Sequence, residues 1–167
     1  ASSGAGYAAA WRRGETRDAA AQVTEHVIRA VQLRAPGGVW GAARTISRVG
    51  EVEPRGLTSN GRDYLLLWAD ETGGASTLMA TPSEGADWSA TAQDVGASNR
   101  FPNLALASNG GDFQLVWTEF DAGVHSLVGT SFSSSFVQSA TEPLAVSTNN
   151  FREVRLASNG RNYLVSW

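Results

Sequence analysis

Apolar and polar positions alternate with a period of two in short stretches of this chain, and the stretches recur. Asn103-Leu104-Ala105-Leu106-Ala107 and Val154-Arg155-Leu156-Ala157 alternate, which predicts strands with one buried face. Asn-Gly follows, and after it come near-continuous apolar runs such as Tyr64-Leu65-Leu66-Leu67-Trp68, the pattern of a strand covered on both faces. Asn-Gly between two such runs predicts a hairpin, because both residues tolerate the positive φ that the turn requires.

The hairpin unit is an internal repeat. Ala1-Ser2-Ser3-Gly4 through Trp11 aligns without gaps with Thr58-Ser59-Asn60-Gly61 through Trp68, with Ala107-Ser108-Asn109-Gly110 through Trp117, and with Ala157-Ser158-Asn159-Gly160 through Trp167. The closing Trp residues are 57, 49 and 50 positions apart. A second column holds Trp40, Trp88 and Phe136, spaced by 48 and 48, the first two within Gly37-Gly38-Val39-Trp40 and Gly85-Ala86-Asp87-Trp88. All 6 Trp of the chain therefore fall in two repeat columns.

Two further strands fit each unit. Ser76–Thr81 and Ser126–Thr130 supply a third strand, and Ala43–Ile46, Ala92–Val95 and Pro143–Val146 a fourth. In the first unit Glu25–Val31 matches the third strand, reached by a longer loop that accounts for the 57-residue spacing; the Ala-rich segment 18–33 also permits a helix. Four short antiparallel strands recurring about every 50 residues predict a β-propeller segment, divided as a partial first blade over 1–50, blades over 51–98 and 99–149, and the first two strands of another over 150–167. Such sheets bury one another face to face, so an incomplete set leaves uncovered faces at both ends. The expected occupants are the remaining blades of a longer chain or another copy of this one.

Composition narrows the function classes. Of 167 residues 42% are hydrophobic and 17% charged, an ordinary globular balance. No apolar run approaches the roughly 18 residues of a membrane span, so no membrane insertion is expected. Without Cys, disulfides and thiolate chemistry are excluded. The 13 basic residues are all Arg, as a GC-rich genome would give, and their single spacing argues against nucleic-acid binding. His26 and His125 lack the spacing and the partners of a zinc site. Asp70 and Glu119 match in their repeats but the first copy has Arg13 there, so no repeated calcium site and no cofactor is expected.

Gly85-Ala86-Asp87-Trp88-Ser89, followed by Phe101-Pro102-Asn103-Leu104-Ala105 and Leu115-Val116-Trp117-Thr118-Glu119, resembles one unit of the sialidase-type propeller repeats, also called Asp-box or BNR repeats. The hairpin motif is degenerate: Ser83 and Ala35 stand five before Trp88 and Trp40, where the family has Asp. The resemblance implies a secreted or cell-surface bacterial protein. It also sets a test for catalysis. Arg100-Phe101-Pro102 is similar to the Arg-Ile-Pro motif whose Arg binds a substrate carboxylate in sialidases, and a guanidinium suits that bidentate role. The nucleophile has no good candidate, because Tyr7, Tyr64 and Tyr163 share their column with Phe113, which marks it as a packing position. Asp70-Glu71, or Glu119 with Asp121, are the only carboxylate pairs that suggest acid/base hydrolysis, and they fall in loops after strands. No catalytic set is assigned. Trp40 and Trp88 are candidates to stack on a sugar ring, Arg100 is a candidate ligand contact, and blade packing is the competing role for both Trp. The sequence thus predicts a non-catalytic scaffold or binding module for glycans or proteins, with a fragment of a sialidase-like glycoside hydrolase as the alternative.

Overall fold

The computed structural model describes residues 1, 3, 6–18, 23–34, 38–72, 76–84, 87–89, 91–98 and 103–167. They form four antiparallel sheets in chain order. Sheet I holds β1 (Gly6–Asp18), β2 (Val23–Arg34) and β3 (Arg44–Thr45). Sheet II holds β4 (Val52–Ser59), β5 (Tyr64–Asp70), β6 (Ser76–Glu84), β7 (Asp87–Trp88) and β8 (Gln93–Ser98), the last two both paired with β6. Sheet III holds β9 (Leu104–Ser108), β10 (Phe113–Asp121), β11 (Val124–Phe132) and β12 (Glu142–Ser147), and sheet IV is the hairpin of β13 (Arg155–Ser158) and β14 (Tyr163–Ser166). No helix occurs among the described residues.

Two expectations need correction. The strand expected over Glu25–Val31 is present, as part of β2, which pairs with β1 from Gly6↔Arg34 to Asp18↔Val23, and the helical alternative for 18–33 is not taken where the segment is described; the long loop expected before it is the first correction. The extra length of the first unit therefore lies in two long strands of 13 and 12 residues and not in a long loop. The second correction concerns Asn-Gly. Only Gly takes positive φ in these loops, at 95° for Gly61, 93° for Gly110 and 86° for Gly160. Asn instead caps the loop through its side chain: Asn109 Oδ1 accepts from the amides of Gly111 at 2.9 Å and Asp112 at 2.8 Å. Ser108 Oγ closes the other side, accepting from Gly110 N–H and donating to Asp112 O. The same bonds recur about Ser59-Asn60 and Ser158-Asn159.

This loop fixes the strand register, and the register repeats. Thr58 pairs with Leu65, Ala107 with Gln114 and Ala157 with Leu164. At the equivalent place in the first copy Ala1 and Ala8 exchange both backbone bonds, at 2.9 and 3.0 Å. Because side chains alternate faces along a strand, equal registers aim equivalent side chains the same way in every sheet. Tyr64, Leu66 and Trp68 of β5 pack with Ala8, Ala10, Ile28 and Ala30 of sheet I. Leu65 and Leu67, on the other face of β5, pack with Phe113, Leu115 and Trp117 of sheet III. Val116 and Leu127 of sheet III then meet Val154, Leu156 and Val165 in the sheet IV repeat. Three cores therefore lie between four sheets, and β5, buried along its whole length, serves two of them.

Backbones of different sheets approach most closely at the first strand of a repeat: β4 lies beside β1 and β2, β9 beside β4, and β13 beside β9. Polar bonds tie the same edges. Asn60 Nδ2 donates to Gly111 O at 3.1 Å, and the Tyr163 hydroxyl accepts from Asn109 N–H and donates to Asp112 O. Asn103 Nδ2 donates to Phe151 O at 2.9 Å. At the opposite end of sheets I and II, Gly50 and His26 exchange backbone bonds at 2.9 and 3.0 Å.

Candidate functional site

Of the ligand-contact residues singled out in the sequence, the two that are described, Trp88 and Trp40, lie in different surroundings. Arg100 lies outside the described residues, with Phe101 and Pro102. Trp88, at 6% exposure, is in the core between sheets I and II, its ring centroid 6.4 Å from that of Tyr64. Its indole N–H has no hydrogen-bond partner, and no ring face is open to stack on a sugar. Trp40 differs: it is 48% exposed, just before Gly41, whose amide donates to Gln32 O.

Sheet I also carries exposed aromatic residues on one face. On β1 the alternation turns Ala8 and Ala10 toward sheet II, which leaves Tyr7 and Trp11 on the outer side of sheet I, both exposed. Their repeat equivalents in sheets II and III are core residues, whereas Trp167, the equivalent of Trp11 in the sheet IV repeat, is 60% exposed. Trp11 is 39% exposed, whereas Trp68 is 3% and Trp117 is 1%; Tyr7 is open where Tyr64 and Phe113 are buried. Phe136, equivalent to Trp40, is buried and stacked on Phe113 at 5.6 Å. The repeat columns are visible in the sequence but the difference within them is not, since in sheets I to III it follows whether a neighbouring sheet covers the face. The far side of sheet IV is open too, with Leu164 at 72% exposure and Ala157 paired beside it. On the side of sheet III that meets sheet IV, Gln114, Gly129 and Leu144 line a groove of about 400 Å³.

The candidate acids have structural partners. Asp70 is buried, and its Oδ2 accepts from Arg48 Nε at 2.7 Å while Oδ1 accepts from Thr72 N–H at 3.0 Å. Burial pushes this carboxyl up, but the Arg48 guanidinium and the Thr72 hydroxyl and amide outweigh it and hold Asp70 below its ordinary value. Glu71 bonds to Arg55, which also meets Glu53 at 2.9 Å. Glu119 accepts the Trp117 indole N–H at 3.0 Å. These carboxylates hold loops and a core Trp in place and are not set up as an acid/base pair.

His125 lies against Phe120, ring centroids 4.5 Å apart, at the exposed tip of the β10–β11 hairpin. Among the described residues no group of three or more His, Cys, Asp or Glu side chains is placed to hold a metal ion, and no helix is long and apolar enough to cross a membrane. The outer face of sheet I exposes the aromatic rings of Tyr7 and Trp11, and Trp40 is exposed on the segment between β2 and β3. A scan against models of known protein families, a search of curated proteins and a search of solved structures each find no match to this chain.

Proposed function

We propose that the chain is a segment of a β-propeller acting as a non-catalytic scaffold, whose business is to present surfaces to a partner. The observation that supports this most is the repetition of register and capping: the hairpin is built alike at Ser59-Asn60, Ser108-Asn109 and Ser158-Asn159; the first two bury an aromatic face on the sheet before them, and the third sets Leu156 and Val165 against sheet III. The approach of successive sheets through their first strands agrees with an arrangement in which sheets fan out around an axis. Carboxylates engaged by Arg48, Arg55 and Trp117, and a tyrosine column open to Phe, agree with the absence of chemistry.

The test is an activity assay on the purified chain with a fluorogenic sialoside. Release of fluorophore at the rate of a buffer blank is the expected result. Turnover above the blank that disappears in Arg100→Ala would replace the scaffold with a sialidase-like hydrolase.

A further inference from the structure

We propose that Asn109 is a site of spontaneous modification, converted through a cyclic imide with Gly110 to iso-aspartate, and that Asn60, in the same loop one repeat earlier, is protected from it. The two loops compare directly, because sheets II and III each have another sheet packed on either side.

The reaction needs no partner but water. The Gly110 backbone nitrogen attacks Asn109 Cγ, and the Nδ2 amide leaves as ammonia, carrying away the proton that the glycine nitrogen gives up. Nothing is oxidised or reduced. Water then opens the ring, at its α-carbonyl to give iso-aspartate or at Cγ to give aspartate.

The loop supplies what this chemistry asks for. Negative charge develops on Asn109 Oδ1 as the nitrogen adds, and this oxygen already accepts from the amides of Gly111 at 2.9 Å and Asp112 at 2.8 Å. Two fixed N–H donors on a forming oxyanion lower the barrier to its formation. Gly110 is exposed, and a Cβ there would meet nothing within 4 Å, so water reaches the nitrogen and the loop has room to bend. One restraint opposes the attack: Gly110 N–H donates to Ser108 Oγ at 3.1 Å, and that bond must open first.

Asn60 has the same two donors on Oδ1 and the same bond from Gly61 N–H to Ser59 Oγ. It differs at the leaving group. Asn60 is 8% exposed, and its Nδ2 donates to Gly111 O of sheet III at 3.1 Å, so loss of ammonia breaks a bond between sheets and takes a donor from that carbonyl. Asn109 is half-buried, and its Nδ2 has no hydrogen-bond partner among the described residues.

The product changes a contact between sheets. Asn109 N–H donates to the Tyr163 hydroxyl at 3.1 Å, and that hydroxyl donates to Asp112 O at 2.9 Å. Iso-aspartate routes the main chain through Cγ, which removes the capping side chain and lengthens the backbone where Tyr163 is held. Aspartate keeps a carboxylate to accept the same two amides.

Storage of the whole chain in mildly alkaline buffer tests this, with cleavage after Arg and tandem mass spectrometry reading the sites in separate peptides, Gly56–Arg62 and Phe101–Arg152. Chain stored in strong urea is the reference, where the two Ser-Asn-Gly sequences convert at similar rates. In the folded chain Asn109 is expected to convert about tenfold or more faster than Asn60. Ser108→Ala, checked for wild-type circular dichroism, is expected to quicken Asn109 further; should it not fold, the wild-type comparison decides alone. Chain enriched in iso-aspartate at 109 is expected to unfold at lower urea than Asn109→Asp. Equal folded rates at the two sites, or a faster Asn60, overturn the proposal. So does an Asn109 that stays intact while the chain in urea converts, or an Asn109→Asp chain weakened as much as the iso-aspartate form.

Discussion

Trp68→Ala removes one of the two Trp side chains from the core between sheets I and II. Trp68 is 3% exposed, packs among Tyr64, Leu66 and the sheet I residues Ala8, Ile28 and Ala30, and donates its indole N–H to Thr81 Oγ1 at 3.0 Å. Truncating a buried Trp costs about 3–5 kcal/mol in transfer and cavity terms. The Thr81 hydroxyl, 1% exposed, loses its partner as well, which adds about 1 kcal/mol, for a total of about 4–6 kcal/mol. Trp11→Ala is the internal control, because the same repeat position is 39% exposed there, and its cost should stay below about 2 kcal/mol. Urea unfolding followed by far-UV circular dichroism at one fixed protein concentration reads both. Equal losses for the two variants, or a Trp68→Ala loss under about 2 kcal/mol, would refute the claim that burial of this column is set by the neighbouring sheet.

The second column behaves differently, because the buried Trp88 indole N–H lacks a partner: Trp88→Phe should change stability by less than about 1 kcal/mol, while Trp68→Phe, which breaks the Thr81 bond, should cost about 1–3 kcal/mol in the same urea experiment. Gly50 is buried with the Thr72 hydroxyl where a Cβ would go; Gly50→Ala should cost about 1–3 kcal/mol, and adding Thr72→Ala should recover part of it in a double-mutant cycle. Asp70 is held below its ordinary value in the fold, so its contribution is present above the unfolded value of about 3.9 and is lost as pH falls through the folded value. The urea midpoint of wild type should accordingly fall more between pH of about 5 and about 2.5 than that of Asp70→Asn.

Strand positions were legible because the period-two pattern and the turn residues are local signals. Leu104 to Ser108, Ser76 to Glu84 and Arg155 to Ser158 are strands where alternation and Gly- or Asn-rich boundaries put them, and the apolar run from Tyr64 to Trp68 is buried on both faces as its lack of polar positions implied. The length of β1 and β2 was not legible, since Glu15, Thr16 and Thr24 read as loop by composition and become strand only through pairing. The role of Asn109 was misread for a related reason: Asn tolerates positive φ, but its side chain finds two amides to cap and the backbone leaves the positive region to Gly110. Trp40 and Trp88 were indistinguishable in the sequence, because both follow a Gly-x-x spacing and their exposure depends on a sheet contributed from elsewhere in the chain.

The fan of sheets is the central claim, and the distances between equivalent positions in neighbouring sheets test it most directly. The chain has no Cys, so paired labels can be placed by substitution alone. Arg62→Cys with Gly111→Cys marks the first hairpins of sheets II and III, and Asp94→Cys with Glu142→Cys marks their fourth strands; double electron–electron resonance reads each pair. Sheets radiating from an axis predict a short separation at the first hairpins and a clearly longer one at the fourth strands. Equal separations at both places, as in layers packed about 10 Å apart throughout, would contradict the account.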